Sequence, residues 1–457
     1  MNDANNLDSL KLREDQLKAR KGELSRLIGE AKKSGSDDAG ELIVEMGAVS
    51  AEFKEVAGRI KAFKKAQRQQ AGQSSEVLSG GPLDKSKQAE KLQQIVEEAY
   101  SAPQILNLAA KAFRVVEVDA EPGLRASWDE YVDRHPQASP YHKLWVKFFV
   151  ESVYGHPCRF ICALDESDRV VGVLPLTQLN SRLFGNFIVS TPYFNYGGAL
   201  ADSKQVAQML IADAVRWRDQ VGAGHIELRH LTSSNLGLPQ RTEKLTFWLA
   251  LPEQEEDLWS SFKPKVRAQI KRPQKESAEI TIGGAELLDD FYSVFSRNMR
   301  DLGTPVYGKN FFHGFLRSYG ESARVVIGRL SGSVVACAII IGSGDRMEIP
   351  WASTVHEANS SGINMLMYWE ILRFSIREKY KIFDFGRCTE DSGTYKFKQQ
   401  WGATPVRLHW DYCLAEGKEA PKLNPDNPKF KLLIAVWTRL PVWLTNIVGP
   451  MVVKYLP

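Results

Sequence analysis

The chain has 457 residues, 43% of them hydrophobic, so it is long enough to bury a large core and to form two or three domains. Its net charge of +4 excludes a chain-wide electrostatic field for nucleic acid and leaves only local patches for such binding. The five cysteines contain no Cys-x-x-Cys pair and the eight histidines are scattered, so neither a disulfide framework nor a metal site is predicted.

The sequence shows no targeting or membrane-spanning segment. Its first residues lack the basic and apolar regions of a signal peptide, and no apolar run approaches the roughly 18 residues of a membrane span. We therefore expect a cytoplasmic protein.

Residues 1–70 predict an antiparallel coiled-coil arm. Leucines recur every seven residues in the first helix, and apolar residues alternate at spacings of three and four in the second. These residues are Leu10, Leu17 and Leu24, then Met46, Val49, Phe53, Val56, Ile60 and Phe63. Helix breakers at 33–38 predict a turn that folds the second helix back on the first.

Two roles are open for this arm. Residues 22–38 resemble the tip of the tRNA-binding arm of seryl-tRNA synthetases, which implies that nearby basic side chains contact phosphates. These side chains are Lys32, Lys33, Lys61, Lys64, Lys65 and Arg68. The alternative is a solvated coiled coil that binds a partner through residues 6–69 or spaces domains, which the interleaved acidic residues favour.

The next part of the chain predicts a linker followed by a duplicated body. Residues 71–112 are a small, polar linker and a polar helix. Residues 113–260 and 278–415 each run in the order strand, two helices, several strands, helix and strand. The predicted fold class is therefore α/β (α+β), with two tandem mixed-sheet domains after the helical hairpin.

A loop in the first domain, residues 190–199, carries aromatic and amide groups without charge. Pro192 and two glycines mark it as a loop, and Tyr193, Asn195 and Tyr196 offer flat faces that suit a sugar or peptide. The alternative is a turn that faces the core. His230, at the end of a predicted strand, could act as a base, although a structural histidine is the more common case.

A basic helix, residues 261–277, is predicted to connect the two domains. Its basic residues are Lys263, Lys265, Arg267, Lys271, Arg272 and Lys275, with no acid among them. Val266 and Ile270 give the helix an apolar anchor, and Arg267 and Lys271 then align on one flank. Such a segment suits a polyanion, and a solvated basic helix is the alternative.

The second domain contains a candidate site at Lys381–Ala403. A short apolar strand, 382–385, ends at Gly386, and a helix follows at about 394–401. Tyr395 and Lys398 share one flank of that helix, so a cation would lie beyond the carboxyl end of a strand, where α/β sheets usually place ligands. Upstream, Arg300 could bind an anion or pair within the fold.

Residues 416–457 predict an amphipathic C-terminal tail. From Lys429 onward the chain has no acid, is mostly apolar and is divided by Pro441 and Pro450. Residues 429–457 could lie on the inner-membrane surface, with Trp437 and Trp443 at the lipid headgroups. The alternative is a pair of helices packed on the body.

The run Gly393-Thr-Tyr-Lys-Phe-Lys, followed by Gln-Trp-Gly-Ala, resembles a signature of Fem-type aminoacyltransferases, which belong to the GNAT acyltransferase superfamily. The sequence looks closest to the Fem-like proteins of bacterial exosortase (PEP-CTERM) exopolysaccharide systems, and the segment around Arg300 resembles their marker. Residues 263–275 resemble the basic Fem motif, although Pro273 ends the helix sooner. The resemblance implies two GNAT-like domains, with the acceptor on 113–260 and the donor on 278–415.

The resemblance also implies the reaction, in which an acceptor amine attacks the ester carbonyl of an aminoacyl-tRNA. The ester is already activated, so positioning and a cation near the oxyanion would suffice. Lys398 and Tyr395 are the catalytic candidates. The substrate-binding candidates are Tyr193, Asn195, Tyr196, Arg267, Lys271, Arg300, Arg387 and Lys396. We expect no tightly bound cofactor, and a lipid-linked, peptide or glycan acceptor.

Two rival functions remain. One is an N-acyltransferase that uses acyl-CoA to modify an exopolysaccharide sugar, although the usual Gly-rich pyrophosphate loop is missing before the helix that starts near Ser360. The other is a non-catalytic scaffold of a polysaccharide or secretion complex, in which the arm and the tail bind partners.

Overall fold

The structure, a computed structural model, describes residues 13, 16–30, 40–53, 55–56, 94, 112–421 and 428–456. The predicted turn at 33–38, the end of the second arm helix and nearly all of the linker lie outside the described residues. So do all six basic residues that were proposed to contact tRNA. The chain forms two compact units, residues 1–83 and 84–457.

The first unit contains two antiparallel helical segments, 16–30 and 40–53. Arg13 pairs with Glu52 and Arg20 with Glu45, each at 2.7 Å. A later residue of the first segment thus pairs with an earlier residue of the second, as antiparallel helices require. Leu17 is buried in a small apolar cluster with residues of the second segment. The described part of the arm therefore has the hairpin arrangement that the apolar spacing predicts.

The second unit contains eleven helices and seventeen strands within its described residues. The helices are α1 (Leu124–Arg134), α2 (Trp145–Tyr154), α3 (Lys204–Gln220), α4 (Glu255–Ser261), α5 (Pro264–Lys271), α6 (Leu288–Asp301), α7 (Lys309–Tyr319), α8 (Ile363–Arg377), α9 (Gly393–Gln399), α10 (Pro428–Trp437) and α11 (Val442–Val453). The strands are β1 (Arg114–Glu117), β2 (Ile161–Leu164), β3 (Val170–Leu174), β4 (Thr177–Ser181), β5 (Gly185–Val189), β6 (Leu200–Ala201), β7 (His225–His230), β8 (Gln240–Arg241), β9 (Lys244–Ala250), β10 (Ala278–Gly283), β11 (Ala323–Leu330), β12 (Ser333–Ser343), β13 (Arg346–Thr354), β14 (Ile382–Asp384), β15 (Cys388–Thr389), β16 (Thr404–Arg407) and β17 (His409–Leu414).

The two halves of this unit share one order of elements, which confirms the predicted mixed-sheet duplication. Each has a strand, two helices, a run of antiparallel strands, and then a helix that leads to a parallel strand. In the first half α3 connects the parallel strands β5 and β7, and in the second half α8 connects β13 and β14. The first half divides into two sheets, β1-β2-β3-β6 and β4-β5-β7-β17-β8. The second forms an eight-stranded sheet, β10-β11-β12-β13-β14-β9-β15 with β16 on β9.

The halves exchange strands, which the sequence-based boundaries do not anticipate. β9 belongs to residues 113–260, yet it pairs with β14 in the eight-stranded sheet, with Leu249 opposite Phe383. In return β17, from residues 278–415, pairs with β7 in the first half, with Tyr412 opposite Glu227. Each half therefore completes a sheet of the other half.

A shared aromatic core also joins the halves. Helix α2 of the first half packs on α7 of the second, and the rings of Phe149 and Phe311 meet edge to face at 5.0 Å. Phe194, from the 190–199 loop, stacks on Tyr141 at 4.3 Å within the same cluster. Because edge-to-face and stacked pairs of buried rings are favourable, this core fixes how the two halves pack against each other.

The tail packs on the body through one face of α11. Thr445, Gly449 and Val453 are buried, and a Cβ atom on Gly449 would lie 2.9 Å from the backbone of Val306, so only glycine fits this approach. The carbonyl oxygen of Lys454 accepts hydrogen bonds from Tyr193 and His156. No helix within the described ranges is both long enough and apolar enough to cross a membrane.

Candidate functional site

A cavity of about 310 Å³ lies where the exchanged strands bring the halves together. Its walls come from β5, β7, β8 and β17, from the start of β9, from the segment after β14 and from Tyr455 and Leu456 at the end of the chain. Its charged and aromatic lining includes Glu227, Arg229, Lys244, Arg387, Trp410 and Tyr412. The cavity thus takes residues from both sheets that the strand exchange connects.

Arg387 is the distinctive group of this cavity. Gly386 adopts a positive φ of 72°, which turns the chain after β14 and directs Arg387 away from the strand. The guanidinium lies 5.0 Å from the ring centroid of Trp410, and within the described chain it forms no ion pair with a carboxylate. Surrounding protein and nearby Arg229 lower the pKa of Arg387 to about 10, so it stays charged at neutral pH. An uncompensated cation that solvent can reach is therefore available for an anion.

Arg229, in contrast, is fully satisfied. It is buried, pairs with Glu227 at 2.8 Å and donates a 2.6 Å hydrogen bond to the carbonyl oxygen of Phe194. The Tyr412 hydroxyl donates to the other oxygen of Glu227 at 2.8 Å. Buried charges are stable when they are paired and hydrogen-bonded in this way. Arg229, Glu227 and Tyr412 therefore form a structural part of the cavity wall.

The cavity as a whole is cationic. Among the described residues that line it there are four basic side chains, Arg229, Arg241, Lys244 and Arg387, and two carboxylates, Glu227 and Glu243. Burial, followed by the charges of Arg387 and Arg241, lowers the pKa of Lys244, and its ammonium donates to Thr389 at 2.9 Å. A concave, cationic cavity with an aromatic wall suits a phosphate-bearing ligand.

Lys398 binds the backbone on either side of the peptide bond that leads into Arg387. Ser392 caps α9 by accepting a hydrogen bond from the Tyr395 amide, and Lys398 then points inward, only 6% exposed. Its ammonium donates to the carbonyl oxygens of Gly386 and Arg387 at 2.5 and 3.0 Å. Burial lowers the pKa of Lys398 to about 8. Its role as the cation near an oxyanion stays a prediction, because its observed partners are backbone carbonyls.

The other two candidates on α9 lie apart from the cavity. Tyr395 is half-buried and meets the ring of Phe247 edge to face at 5.0 Å. Lys396 is exposed. Neither side chain lines the cavity, and their roles also stay predictions.

A buried pair of carboxylates lies where β13 and β14 separate. The parallel pairing ends with Glu348 opposite Asp384. Asp384 accepts hydrogen bonds from Tyr196, from Thr246 at 2.5 Å, from Trp248 at 2.9 Å and from the Gly386 amide at 2.8 Å. Glu348 accepts from Asn195 at 3.1 Å. Burial, followed by the charge of Asp384, raises the pKa of Glu348 to about 8.

The 190–199 loop has the core-facing arrangement that the sequence left open. Tyr193 is buried and donates to the Lys454 carbonyl oxygen at 2.6 Å, while Tyr196 and Asn195 bind the carboxylate pair. His230 holds the end of this loop, because Nε2 accepts from the Ala199 amide at 3.0 Å and Nδ1 lies 2.9 Å from Asp411. With both ring nitrogens engaged, His230 is a structural histidine.

The basic helix α5 lies on the start of α8 and outside the cavity. Val266 and Ile270 are buried and α5 contacts α8, as their spacing predicts. A Cβ atom on Gly362 would lie 2.8 Å from the carbonyl oxygen of Gln269, so the two backbones nearly touch. Arg267 is half-buried, and Lys271 is exposed, with its ammonium 5.5 Å from the Trp259 ring. The structure does not place either residue at the cavity with Arg387.

Arg300 pairs within the fold. Its guanidinium binds Asp301 at 2.6 Å and donates to the carbonyl oxygen of Leu440 at 3.0 Å. This is the second of the two roles that the sequence left open, and it fixes the turn between α10 and α11.

Sequence reasoning missed the charged residues that lie inside strands. Glu348 in β13 lies between the buried apolar residues Met347 and Ile349, and Arg229 in β7 follows buried Leu228. A charge at such a position is costly unless it is paired, so it signals a partner or a site. Trp410 gave no signal, because its role depends on β17 joining the other half.

Comparisons with known proteins agree with this architecture. Residues 261–399 match the family model of the acetyltransferase (GNAT) domain. A search of curated proteins found no match. Among solved structures, FemX is similar, with 12% identity, a TM-score of 0.51, and coverage of 65% of this chain and 96% of FemX.

Two further structures are similar at lower TM-scores. A tandem GNAT protein from the clavulanic acid biosynthesis pathway has 12% identity, a TM-score of 0.46, and coverage of 68% of this chain and 100% of its own. L-PGS from Bacillus licheniformis has 12% identity, a TM-score of 0.44, and coverage of 71% and 98%. The match over residues 261–399 supports acyl transfer in general, and the likeness to FemX shows a shared fold.

Proposed function

We propose that this protein transfers an aminoacyl group from an aminoacyl-tRNA to an amine of a cell-envelope peptide or glycan precursor. The observation that carries the proposal is Arg387, whose guanidinium forms no ion pair with any described carboxylate and lies in a cationic cavity between the two halves. The GNAT-type domain at 261–399 supports acyl transfer as the reaction class.

The cavity chemistry suits a donor that ends in a nucleotide. Arg387 would bind a phosphate, and Trp410 and Tyr412 offer aromatic surface to the ribose or base. The acceptor amine attacks the ester carbonyl, a C–N bond forms as the ester C–O bond breaks, and the leaving ribose oxygen takes up the proton that the amine loses, which gives a free hydroxyl. Because the ester is already activated, the protein needs to supply position and positive charge only.

The start of α8 favours this donor over coenzyme A. A free helix N-terminus offers amides to a pyrophosphate. Here the Ile363 amide donates to the Ser361 hydroxyl at 3.1 Å, and α5 lies against Gly362. The first amides of α8 are therefore occupied or crowded, which supports a donor other than acyl-CoA.

The test is a transfer assay with purified full-length protein and lipid-linked peptide or glycan precursors as acceptors. Labelled aminoacyl-tRNA and acyl-CoA are supplied separately, and product formation is followed by mass spectrometry. Transfer from aminoacyl-tRNA is expected. Transfer from acyl-CoA alone would favour the N-acyltransferase that modifies an exopolysaccharide sugar, and no transfer from either donor would contradict both enzymatic functions.

The scaffold alternative makes a different genetic prediction. If the arm and the tail only assemble partners, Lys398→Ala leaves the cellular phenotype intact while deletion of residues 1–70 abolishes it. The enzymatic proposal expects Lys398→Ala to abolish the phenotype. A tRNA contact through the arm remains part of this proposal, and tRNA binding by the chain without residues 1–70 tests it.

A further inference from the structure

We propose that the two C-terminal helices dock the protein on an anionic phospholipid surface, without crossing it. The docking surface, called the tail face below, is the solvent-facing side of α10 and α11 together with the turn between β4 and β5.

Helix α11 is apolar on two opposite sides, and only one of them is covered. Its buried residues, Thr445, Gly449 and Val453, recur every four positions and contact the body. Trp443, Ile447 and Met451 also recur every four positions, two residues out of step, and they are 65%, 54% and 63% exposed. Because residues four apart share one side of a helix, the second set forms an apolar stripe that points to solvent.

The stripe continues onto neighbouring elements. Met451 shares a surface depression with Leu183, which is 78% exposed in the turn between β4 and β5. In α10 the exposed apolar residues are Leu433, Ile434 and Val436. Ile434 lies against Gly303, next to exposed Leu302. Monomeric proteins seldom expose a large apolar patch without a partner or a membrane to cover it.

The tail face is held rigidly, so its exposure is a property of the fold. Arg300 binds the Leu440 carbonyl oxygen between the two helices. Tyr193 and His156 bind the Lys454 carbonyl oxygen at the end of α11, at 2.6 and 2.8 Å. These contacts hold α11 in one orientation. The helix therefore does not rotate about its axis in a way that would bury the stripe.

The positive charge of the tail face favours anionic lipid as its binding partner. Residues 429–457 contain four basic residues and no acid. Arg439 is exposed, Lys454 lies beside Tyr455, and Arg182 adjoins Leu183. Two copies of this face would bring like charges together, whereas anionic headgroups would neutralise them.

The lengths of the helices fit a surface location. Helices α10 and α11 have 10 and 12 residues, far fewer than the roughly 20 that a spanning helix needs. A short apolar helix with tryptophan and basic residues at its margins is typical of segments that lie in the headgroup region. The tail face would therefore bring the enzyme to acceptors that are carried on lipid.

The test is flotation of the full-length protein with phosphatidylcholine vesicles, with and without phosphatidylglycerol. We expect binding only with phosphatidylglycerol, weakened at high salt. Replacing Trp443, Ile447 and Met451 together by serine should weaken binding about tenfold or more. The control is Phe148→Ser, an exposed apolar residue on α2. The double variant Arg439→Gln with Lys454→Gln, which keeps the stripe, should lose the preference for phosphatidylglycerol.

Several outcomes would overturn the proposal. Equal binding by the triple-serine variant and the parent protein would exclude the stripe, provided circular dichroism shows that both are folded. Absence of binding to any vesicle would exclude a lipid partner. A dimer in light scattering that the triple-serine variant dissociates would show that the face joins two copies instead.

Discussion

The guanidinium of Arg387 lies 5.0 Å from the ring centroid of Trp410, although the two residues belong to different sheets. Arg387 follows β14 of the eight-stranded sheet, and Trp410 lies on β17, which pairs with β7 in the other half. The cation and the aromatic ring of the candidate site therefore meet because the halves exchange strands.

Replacing Arg387 by methionine tests the cavity as the site. The change removes one charge-assisted contact to a phosphate, worth about 1.5–3 kcal/mol, so kcat/KM should fall about 10- to 100-fold. The melting temperature should change little, because Arg387 is exposed and forms no ion pair with the described residues. Arg125→Met, an exposed arginine paired with Asp119, is the matched control. Unchanged kcat/KM in Arg387→Met would place the site elsewhere.

Replacing Glu348 by glutamine tests the buried carboxylate pair through pH. Burial and the charge of Asp384 raise the pKa of Glu348 from 4.5 to about 8. The native state then binds a proton that the unfolded state releases, so this contribution to stability is lost as pH rises from about 4.5 through 8.

Thermal unfolding of the parent and Glu348→Gln should therefore diverge with pH. The free energy of unfolding of the variant, relative to the parent, should rise by at least about 1 kcal/mol between pH 5 and pH 8.5. Glu321→Gln, at an exposed position, should show no such trend. Parallel curves for the parent and Glu348→Gln would mean that Glu348 titrates normally.

Replacing Lys398 by methionine tests its contacts with the backbone before Arg387. The buried carbonyl oxygen of Gly386 and the partly buried one of Arg387 lose their donor, so the free energy of unfolding should fall by about 1–3 kcal/mol at pH 7. Lys396→Met, two residues away and exposed, should change it by less than about 0.5 kcal/mol.

The effect of Lys398→Met should also grow with pH. Burial lowers the pKa of Lys398 from 10.5 to about 8, so between these values the unfolded chain holds a proton that the native state lacks. The contribution of Lys398 to the free energy of unfolding rises over that range. The free energy of unfolding of the parent should therefore increase relative to that of the variant as pH increases. If Lys398→Met loses activity but no stability, Lys398 acts on the substrate directly.

Splitting the chain after Glu253 tests the strand exchange. The break falls in the turn between β9 and α4, outside both helices and strands. Each fragment lacks a strand that its sheet needs, so residues 1–253 or 254–457 expressed alone should aggregate through unpaired edges. Co-expressed fragments should co-purify as a folded complex. Two fragments that are each soluble and folded would contradict the observed pairing.

Local patterns in the sequence predicted the elements and their repeated order. Strand lengths, helix spacing and caps are local, so β14, Gly386, the Ser392 cap and α9 all follow the expected order. Val266 and Ile270 likewise anchor α5 as their spacing requires. These features depend on residues close in sequence, which is why they could be derived without the fold.

The candidate site could not be derived in the same way. The flank of α9 that carries Lys398 was expected to face a ligand, but it faces the backbone of Gly386 and Arg387. Arg387 was a candidate, while its neighbours Trp410 and Arg229 were not, because pairing of β17 with β7 is a long-range event. Periodicity shows which residues share one side of a helix, but it does not show which element packs against that side.

The reciprocal placement of β9 and β17 bears on how such a chain could have evolved. A gene duplication normally leaves two copies that can diverge, be lost or be recombined one at a time. Here residues 261–399, the segment that family comparison detects, lack the neighbour that β14 needs at its edge. Either half transplanted alone would lose part of its sheet and part of the cavity around Arg387, so we expect the two halves to be transferable between proteins only together.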